Sequence, residues 1–279
     1  MLVEHRVVLL YFVVSKGEAD VEVVKATQAD LDYILGWLES EYKEDGAGFW
    51  CNKRLIISAL ETDELTVVRQ GQDAVGFQVG NHAPEITSIR KDCRGKGYGT
   101  ALLEAGLVRA LDDNVNVLSI TCAPASSWSF WQRFGFEAVS PVREWGEVKA
   151  RRIVERRHDL PEGESADVEI AFYPEEAIYK HECNHPYAVY RPQAVRLPNG
   201  KIALDQRVIG IKPDDVRGDL VIRVIVDDEE RCFCKAKYDE AEAAGVIRNW
   251  LDGTYYLDQI AASAGSSQAS VHQSGRQLP

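Results

Sequence analysis

Cys93-Arg94-Gly95-Lys96-Gly97-Tyr98-Gly99-Thr100 is the stretch around which the chain is organised. Before it lies Glu85-Ile86-Thr87-Ser88-Ile89-Arg90, a short β-prone run. After it, Leu102, Leu103, Gly106, Leu107, Ala110 and Leu111 recur at a helical period between Ala101 and Leu111. The order is therefore strand, glycine-rich turn, helix. Gly95, Gly97 and Gly99 let the backbone turn tightly and expose successive N–H groups. Those donors sit at a helix N-terminus, where the helix dipole favours an anion. Arg94 and Lys96 add full positive charge. A phosphate or pyrophosphate is the natural ligand of such a nest. A turn that merely starts a helix is the plainer reading, because short glycine patterns recur by chance. Two familiar phosphate loops fit badly. The dinucleotide fingerprint needs an early βαβ unit with an acidic ribose ligand. The nucleotide-triphosphate loop ends in Gly-Lys before Ser or Thr, whereas here Gly99 directly precedes Thr100.

The next segment decides between these readings. Val115 to Cys122 alternates as a strand, and Pro124-Ala125-Ser126-Ser127-Trp128-Ser129-Phe130-Trp131-Gln132-Arg133-Phe134-Gly135-Phe136 follows. Arg94-x-x-Gly97-x-Gly99 resembles the pyrophosphate signature of the GNAT superfamily of acyl-CoA-dependent N-acyltransferases. Phe130-Trp131-x-x-x-Gly135-Phe136 resembles that family's second signature, in the right order and with a strand between. The resemblance covers roughly Val21 to Leu160. It implies an α/β (α+β) fold, a mixed sheet flanked by helices.

It also implies a site. Acetyl-CoA would be the co-substrate and a primary amine, on a small molecule or a protein, the acceptor. The pyrophosphate donors map to Arg94, Gly95, Lys96, Gly97, Gly99 and Thr100, with Tyr98 in the same loop at an outward position. Main-chain groups for pantetheine and thioester fall near Ile89, with Thr87 and Ser88 beside it. An amine with a pKa near about 10 must lose a proton, so a base is wanted. Glu85 shares the alternating face of Thr87 and Ile89 and is the first candidate; His82 is the runner-up. Many members of the family place a tyrosine near the CoA sulfur, and here that position is Trp131. Indole N–H is a donor but delivers no proton usefully. The family's frequent asparagine before this helix is replaced by Pro124. These departures leave a rival reading, a degenerate fold that holds CoA without turnover while the second half engages a partner.

Composition bounds the remainder. The chain has 279 residues and a formal net charge of −12. That balance speaks against non-specific nucleic-acid binding and mildly favours cationic partners such as amines. Six scattered cysteines give no disulfide framework, so the cytoplasm is the expected compartment. Val7 to Val14 is apolar but far too short to span a membrane. It reads as an added strand, or as part of a dimer contact, within an N-terminal extension of residues 1–20.

Thr27 is placed to cap a helix running to about Tyr42, with Asp30 completing a capping box. A second helix spans Asn52 to Leu60, with Leu55, Ile56 and Leu60 on one side. In the resembled family the corresponding helices and their connection line the acceptor site, which implies Phe49, Trp50 and Asn52 as acceptor-pocket candidates; Trp50 as ordinary core is the plainer reading. Two strands, Leu65 to Arg69 and Ala74 to Val79, form a hairpin. The family-like domain is expected over residues 21–160, a linker over 161–166, and a β-rich accessory domain over 167–260. That domain would hold strands 168–173, 187–197, 202–211, 220–226 and 232–237, and then a helix from Asp239 to Leu251. His181, Cys183 and His185 with Cys232 and Cys234 form a weak metal pattern; buried cysteines and loop histidines are the plainer alternative. Residues 261–279, rich in Ser, Gln, Ala and Gly, read as a disordered tail.

Overall fold

The computed structural model describes the backbone of residues 12–13 and then residues 21–139, 146–180, 185–213 and 217–262. His181, Cys183 and the tail from residue 263 lie outside the described residues. The chain divides into two units, Met1–Val154 and Glu155–Pro279.

The first unit opens with β1 (Phe12–Val13) and β2 (Val21–Lys25), then α1 (Gln28–Asp45) and α2 (Lys53–Glu61). Strands β3 (Leu65–Gln70), β4 (Asp73–Val79) and β5 (Ile86–Ile89) follow, then α3 (Tyr98–Asp112), β6 (Val117–Cys122), α4 (Trp128–Arg133), β7 (Glu137–Ala138) and β8 (Val148–Ile153). β1 to β5 form one antiparallel sheet in sequence order, and β6-β8-β7 forms another. The expected mixed sheet is thus split: β5 and β6 share no ladder among the described residues, and a cavity opens between them.

Thr27 caps α1 as its sequence requires. Its hydroxyl accepts from the Asp30 N–H, and its own N–H donates to Asp30 Oδ2 at 2.7 Å. Asp30 is buried and also accepts two bonds from Arg69, Nε to Oδ1 at 2.9 Å and Nη2 to Oδ2 at 2.7 Å. The box therefore ties helix to sheet. Burial works to raise the Asp30 pKa, but the bonds from Arg69 and Thr27 outweigh it, and the carboxyl is held below its ordinary value. In α2, Ile56 and Ala59 form the buried stripe, and Leu55 faces solvent instead of the core.

α3 belongs to two cores. Tyr98, Ala101, Leu102 and Ala105 pack with Val23, Val68 and Val75 of the larger sheet. Leu103 and Ala110 pack with Leu118, Ile120, Val148 and Ala150 of the smaller one.

The second unit is a small sandwich of two four-stranded antiparallel sheets. β9 (Val168–Tyr173), β10 (Ala188–Tyr190), β13 (Val221–Val226) and β14 (Glu229–Lys235) form one, in the order β10-β9-β13-β14. The other is β11-β12-β16-β15, built from β11 (Ala194–Arg196), β12 (Ile202–Gly210), β15 (Ile247–Arg248) and β16 (Tyr255–Ile260). Alternate residues from both sheets, among them Ile170, Phe172, Ile222, Leu204, Val208 and Leu257, meet in one core.

Two expectations are corrected here. The run expected as one strand over 187–197 breaks at Arg191-Pro192-Gln193, because Pro192 cannot donate to a ladder. The expected helix over 239–251 ends after one turn, α5 (Asp239–Ala243). Gly245 adopts φ +105°, and a Cβ there would sit 2.5 Å from the Gln259 carbonyl oxygen, so the chain must leave the helix to run beside β16. Residues 164–166, within the expected linker, run beside β11. The Arg196 N–H donates to the Glu164 carbonyl and the Ala166 N–H to the Ala194 carbonyl, which seats this segment against β11.

Candidate functional site

A cavity of about 460 Å3 lies between β5 and β6. One wall is β5 with Glu85 just before it; the other is Ile120 to Ala123. Arg94 and Gly99 line it from the glycine loop, and Phe130 and Trp131 from α4. β5 is the last strand of its sheet, so its outer edge has no ladder partner among the described residues. The cleft between the two sheets is therefore lined by backbone polar groups as well as apolar side chains.

The loop turns on glycines in the left-handed region. Gly95 and Gly97 take φ of +76° and +90°, conformations that side chains with a Cβ resist. Gly97 is the N-cap of α3 and brings no side chain to the first-turn amides of Tyr98, Gly99 and Thr100. A Cβ at Gly99 would lie 3.5 Å from Phe130 and 3.8 Å from Ile89, so this glycine sets how closely α3, α4 and β5 converge. Arg94 is held by its Nε–H, which donates to the Ile89 carbonyl at 3.0 Å. Lys96 is exposed beside it.

Among the proposed wall residues, Thr87, Ser88 and Ile89 all line the cavity. The Thr87 hydroxyl is buried with no hydrogen-bond partner among the described residues. Glu85 is exposed at the cavity wall, on the face of Thr87 and Ile89 as the alternation requires. Trp131 lines the cavity with its ring edge-on to Phe130 and Phe136. Phe49 also reaches it, whereas Trp50 lies under the Lys53 ammonium at 4.5 Å and is not part of the lining; Asn52 is not part of it either.

Two residues are relocated. Tyr98 does not point outward: it is 4% exposed and packs in the core, because α3 begins at Tyr98 itself and turns this side chain inward. His82 does not line the cavity; its Nε2 lies 2.7 Å from Asp113 at the far end of α3. Of the two candidate bases, Glu85 alone is at the cleft. Thr100 sits on the first turn of α3, outside the cavity lining, and offers its amide.

Several lining residues were not anticipated, among them Cys122. Cys122 follows Ile120 on the inward face of β6, a position that strand alternation reveals once β5 and β6 are known to flank a cleft. Burial pushes its thiol up, against a weaker opposing bond from Ser127, so it stays protonated and a poor nucleophile. In the second unit, burial likewise pushes Cys232 up to about 12, with Cys234 adding to it. No cluster of three or more His, Cys, Asp or Glu side chains suited to a metal occurs among the described residues. Nor, among them, is any helix long and apolar enough to cross a membrane.

Residues 30–136 match the model described as the acetyltransferase (GNAT) family. No curated protein matches the chain. Several solved structures resemble half of it. An N-acetyltransferase from Thermoplasma acidophilum, solved with coenzyme A, is 12% identical, with 48% of this chain and 99% of that one covered and a TM-score of 0.39. A GNAT-family acetyltransferase from Listeria monocytogenes is 13% identical over 49% of this chain and 96% of its own, with a TM-score of 0.40. A protein from Pyrococcus horikoshii is 18% identical over 50% of this chain and all of its own, with a TM-score of 0.39.

Proposed function

We propose that the GNAT acetyltransferase domain at residues 30–136 transfers an acetyl group from acetyl-CoA to a primary amine. The observation that carries this reading is one continuous cavity that joins the glycine nest, the free edge of β5 and the Glu85 carboxylate. The pyrophosphate of CoA would meet the amides of residues 97–100 with Arg94 and Lys96. Pantetheine would run along the outer edge of β5, with the Thr87 hydroxyl inside the cleft.

The chemistry asks three things of these residues. Glu85 takes a proton from the ammonium, directly or through a water, so that the amine's lone pair can attack the thioester carbonyl. A β5 amide opposite the developing oxyanion lowers the barrier electrostatically. The C–S bond then breaks, CoA leaves as a thiolate, and the amide nitrogen sheds its extra proton to water. A thiol pKa of about 8.5 lets it depart without a proton donor, which suits a cavity whose lining, among the described residues, holds Trp131 and no tyrosine. Holding both reactants in this geometry contributes roughly 7–11 kcal/mol.

The test follows thiol release from acetyl-CoA with a panel of polyamines, amino acids and lysine peptides. Acceptor-dependent release that falls in Glu85→Gln, with acetyl-CoA affinity unchanged by calorimetry, is the expected result. Binding without release across the panel would favour the rival, a CoA-holding protein without turnover. Absence of acetyl-CoA binding would overturn both.

A further inference from the structure

The turn after β15 displays two large apolar side chains in water. Trp250 is 79% exposed and Leu251 67% exposed. Ile247 and Tyr238 are exposed nearby, and Trp250, Ile247 and Tyr238 all line a groove of about 650 Å3 within the second unit.

The tip is not loose. The Leu251 N–H donates to Asn249 Oδ1 at 2.9 Å, and Asn249 Nδ2 donates to Asp252 at 3.3 Å. Asp252 Oδ1 accepts from the Thr254 N–H at 3.0 Å and from its hydroxyl at 2.6 Å. The Gly253 N–H closes the turn on the Asn249 carbonyl, and Gly253 takes the φ of +73° that this requires. Asn249 and Thr254 are buried beneath it. The fold thus fixes a tryptophan and a leucine in an outward pose, which costs solubility and is the arrangement a binding surface needs. The Arg248 guanidinium lies over the Trp250 ring, 3.9 Å from its centroid, and the tryptophan stays largely exposed. Trp, Tyr and Arg together are the residues that dominate binding energy at protein interfaces.

Charge selects the partner. The groove is lined by Lys201, Lys237, Arg248, Glu242 and Asp258. Lys237 pairs with Asp219 at 2.7 Å. Asp258 is taken by Arg207 and His158. Among the described residues Lys201 and Arg248 have no ion pair, against one uncommitted carboxylate, Glu242. In a chain of net charge −12 this groove is a local surplus of free cation. β15 is also the last strand of its sheet, so an extended chain can lie along its outer edge.

We infer that this groove is a docking site for an extended acidic protein segment, with an apolar side chain of the segment against Trp250 and Ile247 and its carboxylates on Arg248 and Lys201. The site is independent of acyl transfer and of the cleft in the first unit.

The probe is a phage-displayed random octapeptide library selected on the full chain. Enriched peptides are then synthesised with a fluorescent label and titrated by anisotropy. Peptides that combine Asp or Glu with Leu, Ile, Val or an aromatic residue are the expected outcome. Trp250→Ala and Arg248→Glu should each weaken them by about tenfold or more, and 0.5 M salt should weaken them further. The thermal unfolding transition of the second unit serves as the folding control for both variants, and Lys237→Ala, a paired cation, should bind like the parent. Three results would overturn the inference: no enrichment, enrichment without acidic residues, or acidic peptides whose affinity ignores both substitutions.

Discussion

Replacing Gly97 with valine puts a β-branched residue where the backbone holds φ +90° at the N-cap of α3. A Cβ there meets no atom within 4 Å, so the cost is conformational and not steric. Holding a non-glycine residue in the left-handed region costs about 1–2 kcal/mol, and more for a branched one. A domain with about 5–15 kcal/mol of stability survives that. The chain has two ways to respond. It can keep the nest and carry the strain, or turn φ negative and re-aim the amides of residues 98–100. The second response removes hydrogen bonds to a charged ligand worth roughly 1.5–3 kcal/mol each. Losing two of them weakens acetyl-CoA binding by about a hundredfold or more. Calorimetric titration with acetyl-CoA measures this directly. Gly71→Val is the matched control. Gly71 has φ +63° and the same open surroundings, but lies in the β3–β4 turn. It should lose similar stability and keep its affinity. If Gly97→Val binds acetyl-CoA within twofold of the parent, the amides of this loop do not hold the pyrophosphate.

Glu85→Gln keeps shape and removes the base, so turnover should fall by about 10²–10⁴-fold with little change in acetyl-CoA affinity, whereas His82→Ala should leave turnover intact. An unaltered rate–pH profile in Glu85→Gln would remove it from the mechanism. Asp30→Ala strips Arg69 and Thr27 of their shared partner and should cost about 3 kcal/mol in urea unfolding at pH 7. Because the Asp30 pKa is depressed in the folded state, its contribution is complete above the ordinary carboxylate value near about 3.9 and fades as pH falls through the lower folded value. Parent and variant should therefore converge in strong acid, and a gap that widens there would refute the sign. Gly210→Ala should destabilise the second unit by about 1–3 kcal/mol, since its Cβ would lie 2.3 Å from Phe172 and 2.8 Å from Leu220; a melting temperature equal to the parent's would mean that the core there yields.

Where local chemistry and period agree, the sequence was sufficient. The Thr27 capping box, the β3–β4 hairpin and the strand–loop–helix at Gly95 to Gly99 all form as their residues require. The failures share a cause, since side-chain spacing was read without knowing what the backbone would meet. The apolar spacing of Ala243, Ala244, Ile247, Trp250 and Leu251 imitates a helix, but Gly245 lies against β16, a strand distant enough that local reading missed both. Tyr98 looked like loop because the glycines around it suggest a turn, yet its helix starts one residue after Gly97. Cys122 was invisible as a cavity residue because the gap between β5 and β6 is a tertiary fact.

The position of α3 in both cores of the first unit gives ligand binding a thermodynamic reach beyond the loop. Whatever occupies the N-terminus of α3 is linked to the unfolding of both sheets that share this helix. A ligand at a hundred times its dissociation constant adds about 2.7 kcal/mol to the state that binds it. The second unit has its own core. Calorimetric scans should then resolve two transitions, of which acetyl-CoA raises one and leaves the other where it was.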